Sequence, residues 1–301
     1  MSERPIEAVN AACPVCGARS INVALIASNT HGRHVVNGAE KFHIFRCVTC
    51  DALFVGGVHV DQAFYERYYD STYYDPAPPK GLVWASRPAA LLARWSTARK
   101  AGICRQALAR PARPIRLLDF GCGAGDFLAS LDQAVFAAEG VEINSVGRAA
   151  CTAKGVRVRD SLPAISAAGE HGFDVITMWH VLEHLPDPRE VLLSLRRLLR
   201  PGGVIVIAVP NHRCLGFRLG AGDWFHLDSP RHLFIPSRRT LEYLASESAL
   251  KVQACHSEWY DYPLDLWWSV RNSSWRWVVW PLYPLLKRVT AETCLFVLKE
   301  S

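Results

Sequence analysis

Residues 115–126 read Ile-Arg-Leu-Leu-Asp-Phe-Gly-Cys-Gly-Ala-Gly-Asp, and few folds accommodate such a stretch. An apolar run over 115–120 ends in glycines at every second position, Gly121, Gly123 and Gly125. Phe127, Leu128 and Leu131 then recur at helical spacing. The pattern predicts a buried strand, a tight turn and a helix start. Glycines there let the backbone approach a ligand where a Cβ would clash. The helix N-terminus adds the positive end of its dipole. A dinucleotide fingerprint, G-x-G-x-x-G, needs glycine at 126, where this chain has Asp126. Asp119 also puts a carboxylate where a pyrophosphate would have to lie. A cationic or amine-bearing ligand is expected instead.

After the turn, strand and helix patterns alternate. Residues 136–141 are apolar and end at Glu142, about twenty residues past the glycines, where a carboxylate suits a ribose diol. A short strand over 156–159 ends at Asp160, and one over 173–179 ends at Trp179 and His180. A helix over 188–199 stops at Pro201-Gly202-Gly203, and 204–209 forms a buried strand. Strands over 250–255 and 293–298 flank the C-terminal part. Such alternation predicts an α/β fold with a doubly wound parallel sheet, its ligand at the carboxyl ends of the strands.

The 301 residues hold one full α/β domain with room for a small module. Residues 1–10 are polar and no run of about 18 uncharged apolar residues occurs, so neither a secretion signal nor a spanning helix is expected. Ten cysteines then point to metal in a reducing cytosol rather than to disulfides. Cys13-Pro-Val-Cys16 and Cys47-Val-Thr-Cys50 are paired knuckles. Four thiolates close a tetrahedral Zn²⁺ with no open position, which predicts a structural site. Strands over 21–26 and 40–46 complete a zinc-ribbon-like module at 1–56. Residues 57–86 form a linker or lid, with Phe64, Tyr65, Tyr68, Tyr69, Tyr73 and Tyr74 as a stacking platform. Pro76, Pro78 and Pro79 end regular structure there. A helix from about 87 carries Arg87, Arg94, Arg99, Lys100 and Arg105, by default a solvated face. The net charge of +6 permits an anionic partner without requiring nucleic acid.

His180-Val-Leu-Glu183-His184 matches a zinc-protease pattern. That pattern needs one continuous helix, whereas here it begins at a strand end and Pro186 and Pro188 follow. The segment from Asp223 to Phe234 follows the fifth strand and holds His226, Asp228, Arg231 and His232. Overhanging the pocket, it makes His232 the first candidate base, His226 the second and His180 the third. Asp228 would orient an imidazole and Arg231 would meet a phosphate. The insert 262–288 carries Trp267, Trp268, Trp275, Trp277 and Trp280 among Arg271, Arg276, Lys287 and Arg288. Packing or dimerisation would account for it; so would lying on a membrane surface. Pro281 and Pro284 predict two short segments rather than one long helix.

From about Arg87 onward the chain resembles the class I S-adenosylmethionine (SAM) methyltransferases. The bacterial branch with Glu183-His184-Leu185 after strand four and Pro230-Arg231-His232-Leu233 after strand five is the most similar. Members with an N-terminal Cys-x-x-Cys module resemble sugar and glycan-cluster methyltransferases. The resemblance implies a sheet ordered 3-2-1-4-5-7-6 over 87–301, the insert joining strands six and seven. It implies that Gly121, Cys122, Gly123 and Gly125 flank the methionine part of SAM. Asp119 would bear on the amino group through water. Glu142 and Ile143 would meet the ribose, Asp160 and Ser161 the adenine, and Trp179 and His180 would lie beside the cofactor. The expected function is methyl transfer to a hydroxyl or carbon of a sugar, glycan or lipid-linked saccharide. The enzyme would be cytoplasmic, in contact with the inner face of the membrane through the insert. An RNA methyltransferase is the alternative. Trp179-His180-Val181-Leu182 stands where exocyclic-amine methylators carry Asn/Asp-Pro-Pro-Tyr/Phe, which disfavours nucleic acid. A non-catalytic zinc-ribbon scaffold is the third possibility.

Overall fold

The computed structural model describes residues 12–28, 40–69, 86–109, 114–169, 171–258, 262 and 264–301, with backbone alone for 86–93, 284 and 287–289. Tyr73, Tyr74, Pro76, Pro78 and Pro79 lie outside the described residues, as do the side chains of Arg87, Lys287 and Arg288. The N-terminal part has strands β1 (Ile21–Ser28), β2 (Lys41–Cys47) and β3 (Leu53–Val55), then helices α1 (Gln62–Tyr68) and α2 (Ser86–Gln106). The alternating part follows as β4 (Ile115–Phe120), α3 (Asp126–Ala129), β5 (Phe136–Val141), α4 (Ser145–Ala153), β6 (Val158–Arg159) and α5 (Leu162–Ala167). It continues as β7 (Phe173–Trp179), α6 (Pro188–Leu198), β8 (Leu199–Pro210) and α7 (Leu215–Gly220). Last come β9 (Phe234–Ile235), α8 (Arg238–Glu247), β10 (Leu250–Glu258), α9 (Asp265–Ser269), α10 (Arg276–Val289) and β11 (Thr293–Glu300).

Seven strands form one sheet in the order β10-β11-β8-β7-β4-β5-β6. Read from β6, this is the expected 3-2-1-4-5-7-6. Strand β11 runs antiparallel to both neighbours, and the pairs among β8, β7, β4, β5 and β6 are parallel. The central strands are apolar on both faces because helices cover both. Leu117, Leu118, Val175, Ile176, Val206 and Ile207 are all fully buried. Helix starts follow local chemistry: Asn144 accepts from the amides of Val146 and Gly147, and Asp187 accepts from that of Glu190 ahead of Pro188. Ser237 and Thr240 close a reciprocal capping box on α8.

Four expectations change in detail. Helix α3 is a single turn, so its dipole contributes little to the glycine turn. Pro201-Gly202-Gly203 does not separate α6 from the next strand, because β8 already begins at Leu199. Gly203 is needed there for close approach, since a Cβ would lie 2.8 Å from the Phe173 carbonyl oxygen. The basic helix is not simply solvated: Arg99 makes paired hydrogen bonds of 3.0 and 2.9 Å to buried Glu258, and Lys100 Nζ lies 4.7 Å from the centre of the Trp179 ring. Finally, α10 runs through Pro281 and Pro284 without a break. Each proline removes one backbone donor, but Val279, Trp280, Tyr283 and Leu286 pack on Leu266 and Val270 and hold the helix together.

A second sheet, β1-β2-β3-β9, links the cysteine module to the rest of the chain. Leu53 and Phe54 pair with Ile235 and Phe234 from the loop after β8. Thr240 Oγ1 donates at 2.8 Å to the Cys50 carbonyl oxygen, which fastens α8 to the second knuckle.

Candidate active site

The turn after β4 takes the conformation its glycines predict. Gly121, Gly123 and Gly125 have φ of 73°, 55° and 74°, the left-handed region that side chains disfavour. Their surroundings differ. A Cβ on Gly121 would lie 2.6 Å from Val181 Cγ2, and one on Gly125 2.8 Å from Cys151 Sγ. A Cβ on Gly123 would meet nothing within 4 Å, so this glycine faces open space. The amides at 121 and 122 donate to the Val141 carbonyl and that at 125 to Cys122. The amide of Gly123 donates to Glu142 Oε2 at 2.9 Å. These glycines therefore shape a surface more than they offer donors. The Cys122 thiol lies 3.8 Å from Cys151 Sγ, against the neighbouring helix α4.

Three carboxylates line the carboxyl ends of β4, β5 and β6. Asp119 is buried, and Thr177 Oγ1 donates to it at 2.6 Å. Burial pushes its pKa up to about 7, against the opposing pull of Thr177 and Lys100. Such a carboxylate gains most from a bound cation. Glu142 holds the turn with one oxygen and the amide of Asn144 with the other, at 2.8 Å. Asp160 is exposed and accepts from Ser161 Oγ at 2.9 Å. Ile143, 84% exposed, has an apolar side chain with no protein cover, in keeping with a wall for a bound ligand. Trp179 packs edge-on against Phe127 with centroids 5.2 Å apart. The glycine cradle and the buried carboxylate fit the methionine part of SAM with its ammonium, and the bare isoleucine fits the adenosine. Thr177 was not marked by any sequence pattern, and Lys100 was marked only as part of a basic helix face.

Beyond β7 the histidines gather. His180 has φ of 56°, which ends the strand and rules out the continuous helix of a zinc-protease motif. Its Nδ1 lies 3.3 Å from Glu183 Oε1, and Glu183 is fully buried. Burial would raise Glu183, but His180, His232 and His184 around it outweigh that and hold it at about 2. His184 Nδ1 lies 2.9 Å from Tyr69 Oη and 3.0 Å from the Arg231 carbonyl oxygen. Tyr69 thus brings the tyrosine-rich segment onto the site. His226 Nε2 lies 3.2 Å from Asp265 Oδ2, both groups being buried. The His226 ring stacks on His180 at 6.2 Å, and Tyr262 meets each of them edge-on at 5.1 Å.

His232 stands further back. Its Nδ1 is 2.7 Å from the His226 carbonyl oxygen, and its Nε2 is 3.9 Å from both Glu183 and Asp228. Burial, with His184 beside it, pushes its pKa down to about 4, so it is neutral near pH 7. The expected Asp228–imidazole contact is no hydrogen bond, since Asp228 stays 3.9 Å from His232 Nε2. Asp228 is taken by Arg231, whose Nε reaches its two oxygens at 3.1 and 3.0 Å. The same ion pair occupies the guanidinium that was expected to meet a phosphate. Besides Glu183 at His180, the carboxylate that holds an imidazole is Asp265 at His226, which comes from the insert, where no spacing in the sequence marked it.

The four cysteines of the module converge. Cys13 and Cys50 Sγ are 3.7 Å apart, Cys16 and Cys47 Sγ 3.5 Å, and all four lie within 4.8 Å of one another. The knuckles repeat each other: Gly17 donates to the Cys13 carbonyl and Asp51 to that of Cys47, with φ of 72° and 63°. This donor set fits a tetrahedral Zn²⁺.

The strand order and the site at the carboxyl ends define a class I SAM-dependent methyltransferase domain. The chain belongs to the methyltransferase-domain family, whose profile matches residues 92–254. A ubiquinone biosynthesis O-methyltransferase of Cereibacter sphaeroides is 30% identical over 145 residues, 41% of this chain and 58% of its own. The enzyme of the same name from Parvibaculum lavamentivorans is 38% identical over 109 residues, 34% of this chain and 43% of its own. The chain spans about half the length of the curated relatives it matches. Among solved structures, a SAM-dependent methyltransferase from Archaeoglobus fulgidus aligns with a TM-score of 0.47 and 18% identity, over 79% of this chain and 98% of its own.

Proposed function

We propose that the protein transfers the methyl group of SAM to a hydroxyl or carbon of a saccharide carried on a lipid at a membrane surface. One observation carries the membrane part of this reading. The insert between β10 and β11 sets Tyr262 and Asp265 against His180 and His226, while its second helix keeps an apolar face outward. From Trp275, the N-cap of α10, Val278, Leu282 and Leu285 follow at helical spacing, and all four are exposed. Trp277 is 68% exposed, with Arg276 stacked over it at 5.0 Å. Val279 and Trp280 pack inward on the other face. A helix apolar on both faces, buried on one, suits the interface of a bilayer. No helix among the described residues is long and apolar enough to cross a membrane. Contact would be peripheral, from the cytoplasmic side.

The relatives' name includes O-methylation in ubiquinone biosynthesis, which favours oxygen as the accepting atom. The RNA alternative loses support, because Arg99 and Lys100 of the basic helix turn to Glu258 and Trp179. Zn²⁺ bound by Cys13, Cys16, Cys47 and Cys50 would be structural. SAM, when bound, supplies an electrophilic methyl group on a sulfonium. The chain's own task is then to bind, align and remove a proton. His180 follows directly on β7, and its Nδ1 lies 3.3 Å from Glu183, a carboxylate that would orient the ring for proton transfer. We take His180 as the base ahead of His226 and His232, because it follows directly on the carboxyl end of β7.

Assays with labelled SAM on lipid-linked saccharides, nucleotide sugars, polyprenylated phenols and RNA test the reading; transfer to RNA alone would overturn it. With the true acceptor, His180→Ala should lower the rate about 10²- to 10⁴-fold while SAM affinity holds. An unchanged rate would remove His180 as base. Membrane contact has its own test. The protein should co-sediment with vesicles of phosphatidylcholine and phosphatidylglycerol, and Trp277→Asp with Leu285→Asp should release it. Equal sedimentation with and without vesicles would assign the apolar face to dimerisation.

A further inference from the structure

Arg231 is closed on Asp228, but guanidinium groups gather at another place. A cavity of about 420 Å³ opens between the cysteine module and the turn after β8, lined by Asn22, Arg46, Cys47, Asp51, Arg213 and Arg239. The three arginines come from separate segments: β2, the turn beyond Pro210, and the first turn of α8. One lining carboxylate stands against them. Arg46 Nε donates to Asp51 Oδ1 at 2.7 Å and Arg213 Nη2 to Asp51 Oδ2 at 2.8 Å. Asp51 offsets one charge of the three. A guanidinium has five N–H donors, so most of those on Arg46 and Arg213 are not used by Asp51. Their side chains are 51% and 70% exposed, within reach of a ligand. Arg213 lies just past the carboxyl end of β8, on the side of the sheet that holds the glycine turn and His180.

We infer that Arg46, Arg213 and Arg239 form a receptor for a diphosphate, the anionic part of the methyl acceptor. This deepens the acceptor reading above and rests on it. Paired N–H donors in a fixed fork match phosphate oxygens, and three guanidinium groups lining one cavity with a single carboxylate leave a net charge of about +2 for a diphosphate to meet. Two sources share that chemistry: a soluble nucleoside diphosphate sugar and a saccharide on a polyprenyl diphosphate. The competing explanation is internal. Four thiolates on a Zn²⁺ would carry two negative charges, and Cys47 lines the same cavity. Arginines placed only to offset that charge would bind no ligand.

Calorimetry on the zinc-loaded full chain separates these explanations, with inorganic pyrophosphate as probe and sulfate as control. Pyrophosphate should bind more tightly than sulfate, and more weakly as salt rises. Arg239→Gln should weaken it about tenfold or more. Zinc content and affinity for demethylated SAM should stay unchanged. Arg239 makes no contact with Asp51 in the structure, so its loss leaves the Asp51 bridge in place. A second arm compares uridine diphosphate with phosphatidylcholine vesicles bearing a polyprenyl diphosphate. Binding to either that Arg239→Gln removes supports the receptor and names its source. Absence of pyrophosphate binding, or zinc loss in Arg239→Gln with binding intact, overturns it. If pyrophosphate binds while no saccharide is methylated, the acceptor reading falls and the anion site stands. If a saccharide is methylated and pyrophosphate is ignored, the anion site falls alone.

Discussion

Asp119→Asn is expected to fold normally and to lose SAM affinity by about 2–3 kcal/mol, roughly thirtyfold to a hundredfold. The substitution keeps shape and an acceptor for Thr177 Oγ1, now 2.6 Å from the carboxylate. What disappears is the one negative charge buried at the end of β4. Without ligand that charge is a burden. Burial moves the carboxyl from its ordinary 3.8 up to about 7, so the native state keeps a proton that the unfolded chain has already lost. Stability of the ligand-free protein should therefore fall as pH rises between those two values. Asp119→Asn should remove that slope. Affinity for SAM should run the opposite way, rising with pH through about 7, because only the ionised form meets the ligand's ammonium. Calorimetric titrations from pH 5.5 to about 8.5, spanning this shifted carboxylate, check both signs. Undiminished affinity in Asp119→Asn would exclude a charge contact. Gly121→Val is the less informative variant, since its side chain collides with Val181 before any ligand arrives. Gly123→Ala meets no atom of the protein but strains the turn at φ 55°, so its effect on SAM affinity is read beside its effect on stability.

Cys50→Ala should be the most damaging single change outside the cofactor site. A tetrahedral thiolate site that loses one ligand loses most of its metal affinity, and that binding energy is folding energy. A cost of about 3 kcal/mol or more is expected, a fall in melting temperature of roughly 6–12 °C. The effect should not stay in the module. The Cys50 carbonyl oxygen accepts from Thr240 and Ser237, at 2.8 and 3.3 Å. The amide of Val55 donates at 3.1 Å to the Leu233 carbonyl, one residue from His232. Hydrogen exchange should therefore quicken in β3, in β9 and at the start of α8, while β4 and β5 stay protected. Full zinc content with unchanged melting would remove the metal site.

The sheet was legible because each central strand is an apolar run bounded by turn residues, and Gly121, Gly123 and Gly125 name the ligand side. The convergence of the cysteine pairs was legible because two C-x-x-C knuckles are a spacing that brings four thiols together. The histidine cluster was legible as a set of residues but not as partners. Asp228 lies beside Arg231 and His232 in sequence, so proximity favoured an Asp–His pair. In space the stronger bidentate ion pair with Arg231 takes the carboxylate. Asp265 holds His226 from thirty-nine residues away, a contact made by folding the insert back onto the loop. Arg46, Arg213 and Arg239 share no local pattern, because three segments bring them together. The prolines of α10 misled for a related reason. Local propensity argues for a break, and packing against α9 prevails.

The two-residue strand β9 has a bearing on how this protein is made. Residue 53 pairs with residue 235, so during synthesis β3 has no outer neighbour until most of the chain has left the ribosome. An unpaired strand edge can recruit another chain. The short length of β3, three residues, limits that exposure. The same pairing means that a cut between α1 and α2 would yield two fragments, each with a raw edge where the other belonged.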